Sequence, residues 1–267
     1  MDENSLNIII SSINHSKLPC IIVEGESDVK IYRWILEEIG LADYFFPANI
    51  TDIIKEQGGC STLRELYLHR NRITNPNVLF ISDKDIYVYS QIPQKYDGII
   101  FTKGYSIEND LYEGCLLEQK LFEKEDKQLF NCVLEEFIRY YACEFQKYHN
   151  GEKYNLRKKP ESIIDKEYKL NSSLLENFFE PSKEIVDYFK NQYDLLLRGH
   201  SLFKLVGMVL HRKKRDPKYS ESALYELCYK FCQSQSIKEM QEKIKEKFDV
   251  ITSKKHEEIK NDCHFLQ

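Results

Sequence analysis

A chain of 267 residues, 42% hydrophobic and 30% charged, is long enough to bury a substantial core as one large domain or two small ones. Its apolar runs fall short of the roughly 20 residues a membrane span needs, which sets aside an integral membrane class and indicates a soluble protein. A net charge of −5 argues against a surface coated in nucleic acid while leaving room for a local basic groove. The polar, acidic start MDENSLN has no character of a secretory leader. The 8 cysteines, without a C-x-x-C pair, fit the reduced thiols of a cytoplasmic protein. Cys228 and Cys232 lie one helical turn apart but lack the second pair that a zinc site needs.

The first predicted element is CIIVE (20–24), a short apolar run of the kind found in strands buried on both faces. A helix from Asp28 to Ile39 follows, closed by Gly40. YFFPANI (44–50) reads as a further strand, which Pro47 would confine to an edge or a bulge. After Thr62 a second helix begins, and TLRE offers a capping box in which Thr62 bonds forward and Glu65 bonds back. NVLFIS (77–82) and GIIFT (98–102) complete a set of candidate central parallel strands. Alternation of strand and helix predicts an α/β sheet with right-handed crossovers. The pattern changes near residue 112. From Leu116 onward, segments such as QLFNCVLEEFIRYYACEF carry apolar residues at three- and four-residue spacing, so the chain divides into an α/β part, 1–114, and a helical part, 115–267. GEKYNLRKKPES (151–162) reads as a loop or insertion.

In open parallel sheets, ligands bind beyond the carboxyl ends of the strands, and here those ends are acidic. The first strand ends on Glu24, the second runs into Asp83 and Asp85, and the third is followed by Glu108 and Asp110. In extended backbone, residues two apart share a face, so Asp83 and Asp85 would present their carboxylates together. Such a pair is costly unless neutralised, and a hard divalent cation, magnesium or manganese, does so with oxygen ligands. Glu24, placed directly after Ile21, Ile22 and Val23, would be partly desolvated and in need of a partner. Gly25 leaves the backbone free for a tight turn and a close approach of substrate. Glu26 and Asp28 could equally cap the helix that follows.

Taken together, VEGESD (23–28) and FISDKD (80–85) resemble the paired signature of the Toprim domain of topoisomerases, primases and OLD-family nucleases. GYSIENDLY (104–112) is similar to a Toprim-like family that includes the effector nuclease of the PARIS anti-phage defence system. The resemblance covers roughly residues 18 to 115, with RGHSLFKLV (198–206) the most family-like stretch beyond it. It implies a mainly parallel sheet with flanking helices, followed by a helical region. It also implies a nuclease cleaving RNA, with transfer RNA among the targets, or DNA, using Mg2+ or Mn2+. Glu24 would be the general acid/base or a metal ligand, Asp83 and Asp85 metal ligands, and Glu108 the acid that completes the site. Glu26 and Asp28 would help hold a second metal, which favours hydrolysis over tyrosine-linked chemistry. Asp110 reads instead as a helix-terminal residue. The resemblance further implies a regulated toxic effector, restrained and released by an ABC-type ATPase.

Grip on the nucleic acid would come from Arg198, His200, Lys204, Arg212, Lys213, Lys214 and Arg215, on or beside a helix with an apolar face, and from Lys103. Lys84 and Lys103 could also stabilise developing charge. The basic run 212–215 could equally complement the dipole of its helix. Aromatic-rich helices allow a homodimer face or an ordinary core. The alternative class is a catalytically inactive Toprim-like binding or regulatory module. The small size of the chain and its lack of an obvious zinc-binding module weigh against a third reading, a primase-like polymerase.

Overall fold

The computed structural model describes residues 2–16, 18–43, 46–49, 60–115, 117–211, 219–231 and 234–264; the side chains at 26–27, 46–49, 60–61 and 250–264 lie outside the description. By its internal contacts the chain falls into two units: one of residues 1–84, 91–102 and 236–267, the other of 85–90 and 103–235. This division runs differently from 1–114 and 115–267. Residues 85–90 and 103–114 go with the helices, and the C-terminal helix goes with the sheet.

The sheet unit is built on four parallel strands: β1 (Cys20–Val23), β2 (Phe46–Asn49), β3 (Val78–Ser82) and β4 (Ile100–Phe101), in the order β2-β1-β3-β4. Every residue of β1 is buried, as an apolar run without alternation requires of a central strand. Burial of Ile21, Ile22 and Val23 contributes about 1.5–3 kcal/mol each. Strand β2 lies at an edge, where a residue lacking a backbone N–H is tolerated, and this accounts for Pro47. In register, Ile22 stands opposite Phe80 and Ser82 opposite Phe101, so the carboxyl ends of β1, β3 and β4 face one side.

Among the described residues, three α-helices of this unit lie early in the chain. Helix α1 (Glu3–His15), not anticipated from the sequence, buries Leu6, Ile9, Ile10 and Ile13 on one stripe. Its N-cap Asp2 accepts from Ser5 N at 2.9 Å. Helix α2 (Glu26–Glu38) ends before Gly40, whose φ of +72° is the left-handed conformation common after a helix. Helix α3 (Cys60–Leu68) begins earlier than expected. Thr62 therefore sits inside its first turn rather than at its N-cap, which removes the expected capping box.

The second unit is helical: α4 (Ile107–Tyr112), α5 (Leu117–Leu121), α6 (Lys124–His149), α7 (Pro160–Ile163), α8 (Lys183–Asn191), α9 (Tyr193–Leu196), α10 (Gly199–Leu210) and α11 (Glu221–Phe231). Of the loop expected over 151–162, residues 151–159 are irregular while Pro160 already opens α7, and among the described residues of this unit the one β pairing is the bridge Ile164–Leu170. Its core is aromatic. Tyr89, Tyr141, Phe145 and Phe189 meet edge to face with centroids 5.0–5.8 Å apart, each pair contributing about 0.5–1.5 kcal/mol beyond area burial. The Tyr89 hydroxyl donates to Leu196 O at 2.6 Å and lies 2.9 Å from the Tyr141 hydroxyl. Helix α12 (Gln235–His264) returns almost entirely to the sheet unit, burying Ile237, Met240 and Ile244.

Among the described residues, no helix is long and apolar enough to cross a membrane. Cys20, Cys132, Cys143 and Cys228 are free thiols. Cys115 is fully buried and disulfide-bonded, which corrects the expectation that all the thiols are reduced. Spacing gave no sign of it because no second cysteine stands near Cys115 in the chain.

Candidate metal centre

In the sheet unit, Glu24 is the first residue beyond β1 and Asp83 the first beyond β3, so two adjacent parallel strands deliver a carboxylate each to the same end of the sheet. Glu24 Oε1 accepts from Ser82 Oγ at 2.6 Å and from Asp83 N at 3.2 Å. Behind them stands Arg64 of α3. Its Nε donates to Ser82 Oγ at 3.3 Å, its Nη2 donates to Asp83 O at 2.5 Å and more weakly to Lys84 O at 3.4 Å, and its guanidinium lies over the Phe101 ring. Arg64 is only 7% exposed and Ser82 1%. A guanidinium so buried is tolerated because its donors meet a hydroxyl and carbonyls and a carboxylate lies one hydroxyl away. Sequence reasoning missed both residues: Arg64 was hidden inside TLRE, and Ser82 read as the end of an apolar run. On the far side of the turn, Thr102 N donates to Ser82 O at 3.2 Å and Lys84 N to Thr102 Oγ1 at 3.0 Å, fixing the backbone on both sides of Asp83.

Asp28 is 7% exposed, and its Oδ2 accepts from Gly25 N at 2.8 Å, so its carboxylate closes the turn that opens α2. Gly25 has φ −127°, a conformation open to any residue, and a Cβ placed there would meet Asp28 Oδ2 at 3.4 Å, an ordinary contact. The glycine is therefore not demanded by backbone geometry, contrary to expectation. Glu26 is the first residue of α2, and its side chain lies outside the described residues.

The helical unit holds Asp85, Glu108, Asp110 and the basic candidates. Strand β3 ends at Ser82 and Asp85 takes φ +50°, so the extended backbone expected to align Asp83 with Asp85 does not continue to that point. Aspartate is one of the few residues that enters this region readily, and Asp85 N donates to Tyr105 O at 2.8 Å. Glu108, on α4, is 8% exposed, and among the described residues its carboxylate forms no hydrogen bond or ion pair.

Asp110 lies in the first turn of α4, as expected of a helix-terminal residue. It is wholly buried, and its two oxygens accept from Lys103 N (3.0 Å) and Gly104 N (2.7 Å), closing the turn before α4. Asn109 ties that turn to the next helices by donating to Asp194 O (2.6 Å) and Leu197 O (2.8 Å) and accepting from Ser106 N (3.0 Å). Gly199 meets it from the other side. A Cβ there would lie 2.6 Å from Ser106 Oγ, 2.7 Å from Asn109 Oδ1 and 2.8 Å from Glu108 Cβ. The stretches GYSIENDLY and RGHSLFKLV thus pack as one knot.

The basic candidates differ in state. Lys103 Nζ is paired with Glu113 at 2.9 Å. His200 Nδ1 lies 3.0 Å from Glu221, and Lys204 pairs with the same carboxylate, whose hydrogen bond raises the lysine pKa. Arg198 has no ion-pair partner among the described residues. Arg212, Lys213, Lys214 and Arg215 lie outside the described residues.

Among the described residues, no three His, Cys, Asp or Glu side chains form a ready-made cage for a metal. What the sheet unit offers is two carboxylates at the ends of rigid neighbouring strands, with hard oxygen donors and a held backbone. No protein-family model matches the chain, and no curated protein matches it.

Proposed function

We propose that the chain is a metal-dependent nuclease of the Toprim type, hydrolysing phosphodiester bonds in RNA or DNA. The observation that carries the reading is the joining of Glu24 and Asp83 at the carboxyl ends of β1 and β3, with Glu24 Oε1 bonded to the Asp83 amide. Both carboxylates are of the type that suits magnesium or manganese, and Glu24 and Asp83 would hold the ion. When bound, a divalent cation polarises a phosphoryl oxygen and lowers the pKa of a coordinated water. The chain's own residues fix the geometry. Ser82 and the Asp83 amide orient the Glu24 carboxylate, and Arg64 holds the Ser82 hydroxyl and the Asp83 carbonyl in place. Glu24 then has the position of a ligand or of a general acid/base. Asp85 and Glu108 offer further carboxylates in the helical unit, and Glu108, which has no hydrogen-bond or ion-pair partner among the described residues, is of the chemical type a cation would satisfy. Resemblance to the PARIS effector family supports the remainder of the reading, a toxic defence effector in the cytoplasm restrained by an ABC-type ATPase.

The test is cleavage of mixed RNA and DNA by purified protein with Mg2+ or Mn2+, comparing wild type with Glu24→Ala, Asp83→Asn, Asp85→Asn and Glu108→Gln. Glu24→Ala is expected to lose about 100-fold or more in rate. Cleavage unaffected by that substitution removes Glu24 from its role. Absence of cleavage together with absence of metal binding leaves a binding or regulatory module instead.

A further inference from the structure

An open cleft of about 820 Å³ lies within the helical unit, lined by α6, the loop 151–159, the 3-10 turn Ser172–Asn177 and the two residues after that turn. Its charged base is a built ion pair. Lys147 Nζ lies 2.7 Å from Glu144 Oε1 and donates to Asn177 O at 2.8 Å, while Glu144 Oε2 accepts from Asn155 N, so one pair on α6 fastens both the loop and the turn. The two side chains are 13% and 8% exposed, and a pair so little screened holds these segments in place. Aromatic rings line the cleft above it. Tyr154 is braced edge-on by Tyr148, with centroids 5.0 Å apart, yet it stays 40% exposed. Phe179 has the Lys147 ammonium 5.9 Å from its ring centroid and is 36% exposed. Polar groups accompany the rings. Among the described residues, the ammonium groups of Lys153 and Lys158 on the loop, and the side chains of Glu176 and Asn177 on the turn, have no hydrogen-bond or ion-pair partner. Glu152, the acid of the loop, already accepts from Asn150 Nδ2 at 3.0 Å.

We infer that this cleft binds one nucleotide, its base against Tyr154 and Phe179 and its phosphate toward Lys153 and Lys158. Exposed ring faces stack on any base, whatever its sequence. Ammonium groups without partners suit a phosphate. A carboxylate and an amide, here Glu176 and Asn177, are the groups that meet the amino groups and ring nitrogens on the edge of a base. The volume falls in the range of roughly 300–1,000 Å³ typical of small-molecule sites. An inorganic anion would leave the rings unused, and a purely apolar ligand would leave the two lysines, Glu176 and Asn177 unsatisfied. The same chemistry is presented by a free nucleotide and by one unstacked residue of a single strand, and the experiment separates these two sources. The cleft stands on its own lining and does not depend on the nuclease reading.

The experiment is the fluorescence of 2-aminopurine, which is quenched when its ring stacks, measured in EDTA so that no metal-dependent cleavage occurs. Two probes are used: 2-aminopurine riboside 5′-monophosphate, and a single strand of about eight nucleotides with 2-aminopurine at its centre. Wild type is compared with Y154A, Y154F, F179A and K153Q/K158Q, with folding checked by circular dichroism. Wild type is expected to quench at least one probe saturably, with competition by unlabelled nucleotide or strand but not by ribose 5-phosphate. Quenching of the monophosphate identifies a free nucleotide as sufficient, and quenching of the strand alone identifies a polymer. Y154A and F179A should each bind about tenfold more weakly, and Y154F, which keeps the ring, should bind as wild type does. K153Q/K158Q should bind more weakly at low salt and, for the strand, flatten the slope of log affinity against log salt by roughly 0.7 per lysine. Lys153 is exposed and Lys158 half-buried, so this variant tests the cleft even where a ring variant fails to fold. The inference is overturned if neither probe is quenched, if ribose 5-phosphate competes as well as the nucleotide, or if the folded variants all bind as wild type does. Failure of the nuclease reading looks different: quenching without metal-dependent cleavage leaves the cleft standing, whereas cleavage without quenching removes the cleft alone.

Discussion

The sheet unit and the helical unit treat their acidic residues in opposite ways. At the end of the sheet, Glu24 and Asp83 are positioned by elements that cannot shift singly: two paired strands, the Ser82 hydroxyl and the buried Arg64. In the helical unit, Asp110 is consumed by structure, with both oxygens closing a turn, while Glu108, two residues before the Asp110 carbonyl that accepts from Ser234, is left buried and partnerless among the described residues. An acid near a strand end therefore cannot be assigned a role from its neighbours in sequence. Hydrogen-bond supply decides whether a carboxylate is a fastener or is available for chemistry.

That contrast can be tested by substitutions that should affect one unit and spare the other. The largest effect is expected at the knot in the helical unit. Gly199→Ala and Gly104→Ala each place a Cβ within 2.6 Å of a neighbouring heavy atom, and each should cost about 3 kcal/mol in urea unfolding. A loss below about 0.5 kcal/mol would mean that the knot adjusts freely.

Next comes Arg64→Met, which preserves much of the volume but removes the donors to Ser82, Asp83 and Lys84. It should cost about 2 kcal/mol and also reduce metal-dependent cleavage, whereas the glycine variants reduce cleavage only through loss of folded protein. Asp28→Ala separates a fastener from a ligand within the sheet unit. Loss of its bond to Gly25 N should cost about 1 kcal/mol, with manganese affinity unchanged. A matching fall in manganese affinity would transfer Asp28 to the metal site.

The smallest effect is at α1. The Ser5 amide holds the Asp2 carboxyl below its ordinary value, so the cap contributes above the usual aspartate range and is lost as pH falls through the lowered pKa. Asp2→Ala should lower Tm slightly at neutral pH, with the two melting curves converging in acid. A gap that persists at low pH would show that the carboxylate is not the cause.

The parallel strands were legible because β1 and β3 are uninterrupted apolar runs, and Pro47 announced an edge by its missing donor. The acids at the strand ends were equally legible. What escaped depends on partners remote in sequence. Arg64 looks like a surface residue of a helix until Ser82 and Phe101 are brought to it, and the expected capping box failed because α3 starts at Cys60 rather than after Thr62. Alternation carried Asp83 and Asp85 to one face only while the backbone stayed extended, and the positive φ at Asp85 ends that regularity. Helix α1 carried its signals, an aspartate cap and the stripe Leu6, Ile9, Ile10 and Ile13, but the polar start of the chain drew attention from them.

The claim that matters most is that Glu24 and Asp83 hold a divalent cation. Manganese titration followed by electron paramagnetic resonance, on wild type, Glu24→Gln and Asp83→Asn with folding confirmed by circular dichroism, measures it without depending on substrate. Saturable binding by wild type, weakened about tenfold or more in each variant, is the expected result. Three superimposable titrations, or no binding by wild type, would contradict it.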